Sequence, residues 1–69
     1  MKARTYRQSL PSGLWQYVII TERWYCEKMR EYDYIGVAVL GSAVHEFQVS
    51  VKQVNRMIKN GSMRLIEVI

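Results

Sequence analysis

Apolar and polar residues alternate on both sides of a turn near the start of the chain. The turn is Leu10–Leu14, where Pro11 suits a φ of about −65° and Gly13 suits the left-handed residue that closes a three-residue loop. Aromatic and β-branched residues dominate Trp15–Ile20, and both faces of that strand carry apolar side chains. Residues 2–20 are therefore predicted to form a β-hairpin whose second strand lies inside a sheet.

A second hairpin is predicted around Gly41 and Ser42. Glycine at the first position of a two-residue loop is typical of a type II′ turn, whose twist matches that of the flanking strands. The two strands are Tyr34–Leu40 and Ala43–Val49. In the second of them, polar side chains alternate with a core face anchored by Phe47.

The clearest helical pattern in the chain covers residues 51–60. Ser50 stands before it as an N-cap, and Gln53 follows three residues later, which is the spacing of a capping box. Gly61 comes directly after the pattern and suits the left-handed residue that ends a helix. A last strand is then predicted over Met63–Ile69. The apolar side of the helix consists of Val51, Val54, Met57 and Ile58.

Residues 21–34 fit two structures. As a helix, the segment aligns Tyr25, Met29 and Tyr32 on one side. As a continuation of the preceding strand, it scatters its charged side chains over both faces. We favour the helix, over residues 22–32.

These elements predict an α+β domain that comprises residues 1–69. About five short strands form a small antiparallel sheet or a partly open barrel, and the amphipathic helix 51–60 packs on it. Residues 22–32 are the candidate second helix. A chain of 69 residues has room for one domain, and 49% hydrophobic with 23% charged residues is the composition of a folded one.

Few residues offer catalytic or metal-binding chemistry. Cys26 is the only cysteine and His45 the only histidine. One of each falls short of a disulfide or of the ligands of a zinc site, and Cys26 as a nucleophile needs His45 as its base. The chain has no glycine-rich phosphate loop and no cofactor motif. We expect a protein that is not an enzyme and that holds no metal or cofactor.

The sequence also bears on location. No apolar run approaches the ~20 residues of a membrane span, and no apolar signal-peptide core follows the basic N-terminus. A single cysteine suits a reducing compartment. We expect a cytoplasmic protein without membrane contact.

Positive charge is concentrated at the two ends of the chain. Residues 22–33 hold three basic and four acidic side chains, whereas the remainder holds seven basic and two acidic ones. On a helix with about 100° between residues, Lys52, Arg56 and Lys59 lie within about 60° of one another, opposite the apolar side. Lys52 and Arg56 are like charges at i and i+4, a spacing that costs a few tenths of a kcal/mol. The stripe is either a contact for a negatively charged partner or an ordinary solvated face.

The aromatic residues have two interpretations as well. Tyr6, Trp15 and Tyr17 lie in the first hairpin, and Arg4 and Arg7 flank the first of them. Rings and cations in that arrangement can stack unpaired bases and hold the backbone of a nucleic acid. Alternatively, the rings fill a small core. Five tyrosines against one phenylalanine favour half-exposed positions, which often mark binding surfaces.

We predict a small binding module whose partner is nucleic acid, DNA or RNA, bound by the basic helix face and the basic first strand. This site requires the two ends of the chain to be neighbours, which depends on the order of the strands. An alternative is a protein-binding inhibitor or regulatory accessory protein, of phage or plasmid type, that acts on a larger acidic protein. The final strand also offers an edge for a homodimer. The predicted contacts are Lys52, Arg56, Lys59, Arg64, Arg4 and Arg7, with the rings of Tyr6, Trp15 and Tyr17.

Overall fold

Five strands and one helix make up the structure, a computed structural model that describes residues 1–69. The elements are β1 (Arg4–Ser9), β2 (Trp15–Cys26), β3 (Glu31–Leu40), β4 (Ala43–Ser50), α1 (Val51–Lys59) and β5 (Met63–Val68). All neighbouring strands are antiparallel, in the order β4-β3-β2-β1-β5. The helix connects the two edge strands and therefore crosses one face of the sheet. The α+β prediction is confirmed as an open sheet with one packed helix.

Both predicted hairpin turns are present. The backbone N–H of Leu10 donates to the carbonyl of Leu14 at 2.8 Å, and Gly13 has a φ of 88°. Gly41 has a φ of 58° whereas Ser42 has a negative one, as a type II′ turn requires. The turn residues therefore define both hairpins locally.

The helix begins where the sequence predicts and ends one residue earlier. The Ser50 hydroxyl accepts a hydrogen bond from the backbone N–H of Gln53 at 3.1 Å. The Gln53 side chain does not complete the capping box, because its oxygen accepts from Nη1 of Arg56 at 3.2 Å. At the other end, Gly61 adopts a φ of 85° and its N–H donates to the carbonyl of Ile58.

The helix predicted over residues 22–32 is wrong. β2 continues to Cys26, and a four-residue turn leads into β3. Tyr25 and Tyr32, which suit one side of a helix, instead pair directly across the two strands with ring centroids 5.0 Å apart. Arg30 completes the turn with a positive φ of 53°. The hairpin prevails because β3 offers backbone partners and cross-strand side-chain contacts that no isolated helix would have.

β2 and β3 reach beyond the rest of the sheet. β1 pairs with β2 only as far as Arg4 opposite Ile20, and β4 pairs with β3 only as far as Ser50 opposite Asp33. Residues 21–32 therefore form a projecting two-stranded segment, which we call the arm. Since α1 follows β4 directly, the arm and the start of the helix lie at the same end of the sheet.

A β-bulge decides which way the side chains of the arm face. Ile20 pairs with Gly36, and the next pair along β2 begins at Glu22, so Thr21 has no partner of its own. One extra residue reverses the alternation beyond it. As a result, Arg23 lies on the same face of the sheet as Ile20, whereas strict alternation would place it on the other.

The core lies between α1 and one face of the sheet, which we call the covered face. The opposite, open face has no second layer. With nine residues, the helix is neither long nor apolar enough to cross a membrane. The eight buried residues are Tyr6, Val18, Ile20, Tyr34, Ala38, Phe47, Val54 and Met63.

Candidate functional site

The predicted binding residues are divided between the two sides of the domain. Lys52, Arg56 and Lys59 are exposed on α1, on the covered side. Arg7 and Arg64 pair with each other across β1 and β5, and alternation places both on the open face. The predicted basic residues therefore form two groups on opposite sides of the domain and not one patch.

Arg7 and Arg64 form a small basic corner of the open face. The guanidinium carbon of Arg7 lies 4.1 Å from the centre of the Trp15 ring. The rings of Trp15 and Tyr17 pack edge to face, with centroids 4.9 Å apart. A cavity of about 180 Å³ lies beside the two arginines. With only these two cations, the corner can bind a single anion but not a series of phosphates.

Arg4 and Tyr6 both lie on the covered face. Tyr6 is a core residue with 3% of its surface exposed, so its ring is not available to stack on a base. Hydrogen bonding to Tyr6 raises the pKa of Arg4 above its ordinary value and outweighs the opposing effect of desolvation. Tyr34 acts in the same direction. Arg4 is therefore a permanent cation held beside the core.

Charge is segregated between the two sides of the sheet. On the covered side, the helix and the paired rows of the sheet hold no carboxylate and five basic residues, Arg4, Arg23, Lys52, Arg56 and Lys59. On the open face, the paired rows hold two arginines, Arg7 and Arg64, and five carboxylates, Glu22, Glu31, Asp33, Glu46 and Glu67. Strand alternation has thus separated charges that are mixed along the chain.

A groove of about 500 Å³ lies between the arm and the first turns of α1. Arg23 and Tyr32 line it from the strands, Arg30 from the turn, and Lys52 and Asn55 from the helix. The groove therefore brings two further arginines next to the helix stripe. We call the combined surface the basic face, which consists of Arg4, Arg23, Arg30, Lys52, Arg56 and Lys59.

The side chains in the groove are held in place, but their hydrogen-bonding groups are not engaged by other residues of the chain. The guanidinium carbon of Arg23 lies 4.1 Å from the centre of the Tyr32 ring. Neither Arg23 nor Asn55 makes a side-chain hydrogen bond within the chain. Glu31 is the one carboxylate in the lining. Donor groups in the groove are thus free to bind a ligand.

Sequence reasoning missed Arg23 and Arg30. Both stand among acidic residues, so charge counted along the chain makes their segment net negative. A hairpin interpretation of the segment would have placed Arg23 near Tyr32. Its face, however, depends on the bulge at Thr21, for which the sequence carries no clear signal.

The candidate nucleophile and base are far apart. Cys26 pairs with Glu31 in the arm, whereas His45 pairs with Ala38 in the body of the sheet. The two pairs are separated along β3 by about 23 Å, at about 3.3 Å per residue. No three His, Cys, Asp or Glu side chains come together as a metal site. These residues therefore do not assemble a catalytic pair.

The basic face and the groove within it are the features of this molecule that point most directly to a ligand. Both combine residues from α1 with residues from the sheet or the arm. Comparison of the chain with protein-family models, with curated proteins and with solved structures gave no match.

Proposed function

We propose that this protein binds nucleic acid through the basic face. The observation that supports the proposal is the segregation of charge, which leaves six basic side chains with Glu31 as their only acidic neighbour in the groove. An ordinary solvated surface mixes both signs, because opposite charges attract and like charges at short range repel. A phosphate backbone complements a surface that is positive throughout.

The spacing of the cations suits a chain of phosphates better than a single anion. Lys52 and Lys59 are about 10 Å apart along the axis of α1, at about 1.5 Å per residue. Arg4 and Arg23 extend the surface onto the sheet. Lys52 lies in the first turn of the helix, where the dipole favours negative charge, so helix stability does not explain its position.

Binding of this kind has a measurable salt dependence. If all six cations contact phosphates, the logarithm of the binding constant should fall with the logarithm of salt concentration with a slope of about −4 to −5. The assay is fluorescence anisotropy of labelled DNA and RNA, titrated at about 50 and about 200 mM salt. No binding at the lower salt concentration would end the proposal.

Two double variants separate a specific surface from net charge. The first variant combines Lys52→Ala with Arg56→Ala and removes two positive charges from the covered side. The second combines Arg7→Ala with Arg64→Ala and removes two from the open face. The first variant should weaken binding and flatten the salt slope by about 1.5. The second should change both quantities much less. Equal effects would show that only net charge matters.

An acidic protein surface is the alternative ligand for the basic face. It complements the same cations, and rim charges of this kind mainly accelerate association. If nucleic acid does not bind at low salt, we propose that the protein acts as an inhibitor or regulatory subunit of a larger acidic protein. A complex that survives nuclease treatment and is lost in the Lys52 and Arg56 double variant supports this alternative.

The open face favours a second function, which is self-association. It exposes Trp15, Tyr17 and Val44, with half-buried Val39 between Tyr17 and Val44 and half-buried Ile19 and Val37 in the neighbouring row. These are side chains that interfaces favour, and the face holds more carboxylates than arginines, which disfavours nucleic acid. Five strands about 4.8 Å apart and about 20 Å long offer about 400 Å² per copy, or about 800 Å² for the pair, which is the size of a weak, transient contact.

The occupant we propose for the open face is a second copy of this chain. Sedimentation velocity at protein concentrations roughly a hundredfold apart should show a shift towards dimer, because weak association follows mass action. Val44→Glu should abolish the shift without unfolding the protein, since Val44 is 62% exposed. A monomer at both concentrations would rule this dimer out.

A further inference from the structure

We infer that the groove holds one unpaired nucleotide and that the preferred ligand of the basic face is single-stranded. The inference rests on the proposed function, since it concerns the same surface. It adds a specific ligand class, because a surface that only attracts phosphates would bind duplex and single strand alike.

The size and lining of the groove fit a nucleotide. Its volume of about 500 Å³ lies within the range of small-molecule sites, about 300–1,000 Å³. A phosphate backbone alone would leave the apolar part of the lining, Met29 and Val51, in contact with water. A base that has left its stack can cover that part, which gains the hydrophobic contribution as well as the electrostatic one.

Arg23 and Tyr32 form a stacking platform. Their 4.1 Å approach holds the planar guanidinium against the ring, and the ring in turn packs against Tyr25 at 5.0 Å. Tyr32 remains 44% exposed. Bases stack on aromatic rings and on arginine planes, and such stacking tolerates any base. Because the platform is already assembled, little side-chain entropy remains to be lost on binding.

Polar groups around the platform match the rest of a nucleotide. Lys52 and Arg30 offer cations for the adjoining phosphates. The amide of Asn55 offers both donor and acceptor for the edge of a base. Glu31 borders the groove, but its pairing with Cys26 places its side chain on the open face, away from a bound phosphate. In a duplex, pairing and stacking withhold the base from all of these groups.

The test compares a labelled single-stranded oligonucleotide with the duplex of the same sequence, for wild type and variants. Wild type should bind the single strand more tightly. Tyr32→Ala should weaken single-strand binding roughly 5- to 150-fold, the loss expected for one stacked base, and leave duplex binding nearly unchanged. Trp24→Ala is the matched control, because Trp24 is an exposed aromatic residue of the same arm on the open face. It should change neither affinity.

A second variant distinguishes the loss of stacking from a disturbed fold of the arm in Tyr32→Ala. Arg23→Lys retains the charge but removes the planar group that stacks. It too should therefore lower the affinity for the single strand and leave the affinity for the duplex nearly unchanged. Equal affinity of wild type for single strand and duplex, or equal effects of Tyr32→Ala on both, would overturn the inference and leave the proposed function standing. Absence of binding to either form would overturn both.

Discussion

Gly36→Ala tests how tightly the bulge that orients the arm is packed. Gly36 lies opposite Ile20 on the covered face, next to the unpaired Thr21. A Cβ at this position would overlap the carbonyl oxygen of Ile19 and would lie 2.8 Å from its carbonyl carbon and 2.9 Å from Cα of Ile20. Ordinary contacts begin at 3.4 Å. Since the obstructing atoms are backbone atoms, no rotamer change relieves the clash.

The destabilisation expected for Gly36→Ala lies at the upper end of the range for overpacked sites. Small-to-large changes in packed sites typically cost about 1–3 kcal/mol, and here the overlap with the carbonyl oxygen of Ile19 requires the two strands to separate by more than an ångström. We therefore expect a loss of about 3 kcal/mol in the free energy of unfolding. A domain of this size has about 3–10 kcal/mol in total, and each kcal/mol shifts its melting temperature by about 4–8 °C.

Gly61→Ala provides the control. Its Cβ would meet no atom within 4 Å, but its φ of 85° is unfavourable for alanine. That conformational cost is about 1–2 kcal/mol. Thermal and urea denaturation, followed by circular dichroism, should show Gly36→Ala as the more destabilised of the two. The reasoning fails if Gly36→Ala melts within about 4 °C of wild type or above Gly61→Ala.

Three further predictions concern the helix and the charge of the site. Ser50→Ala removes the side-chain acceptor at 3.1 Å from the N–H of Gln53 and should cost about 1 kcal/mol in urea unfolding; no loss would mean that water replaces the cap. Val54→Ala removes two methyl groups from a completely buried position and should cost about 2 kcal/mol, whereas Val44→Ala, at an exposed site, should cost less than about 0.5. Affinity for nucleic acid should change little between about pH 6 and pH 8, because the basic face contains no histidine, the side-chain type that ordinarily changes charge in that range. A large change over that range would implicate His45, the one histidine.

Local signals account for the parts of the structure that the sequence predicted well. The cap at Ser50 and the left-handed Gly61 act on their immediate neighbours, so they define α1 without reference to the rest of the chain. The same holds for the turns at Gly13 and Gly41. Conformational preferences of single residues and hydrogen bonds across three or four residues are legible in any sequence.

Strand pairing decided what the sequence left open or indicated wrongly. The spacing of Tyr25 and Tyr32 satisfies a helix and a hairpin equally well, and only the partners that β3 provides distinguish them. Similarly, Arg7 and Arg64 became neighbours because β5 returns to pair with β1, which placed both on the face opposite the helix stripe. Such contacts join residues far apart in the chain, so no local preference encodes them.

The basic face shows most clearly which features follow from local sequence and which depend on strand pairing. Its helical part, Lys52, Arg56 and Lys59, follows from periodicity alone and was predicted by residue number. Its arm part depends on the bulge at Thr21, which turns Arg23 towards α1 and Glu22 away from it. The sequence by itself thus determined the amphipathic helix with its basic stripe, because 3.6-residue periodicity is a local property. The tertiary structure alone decided which other cations join it, because the side that a strand residue faces depends on its register with a distant partner.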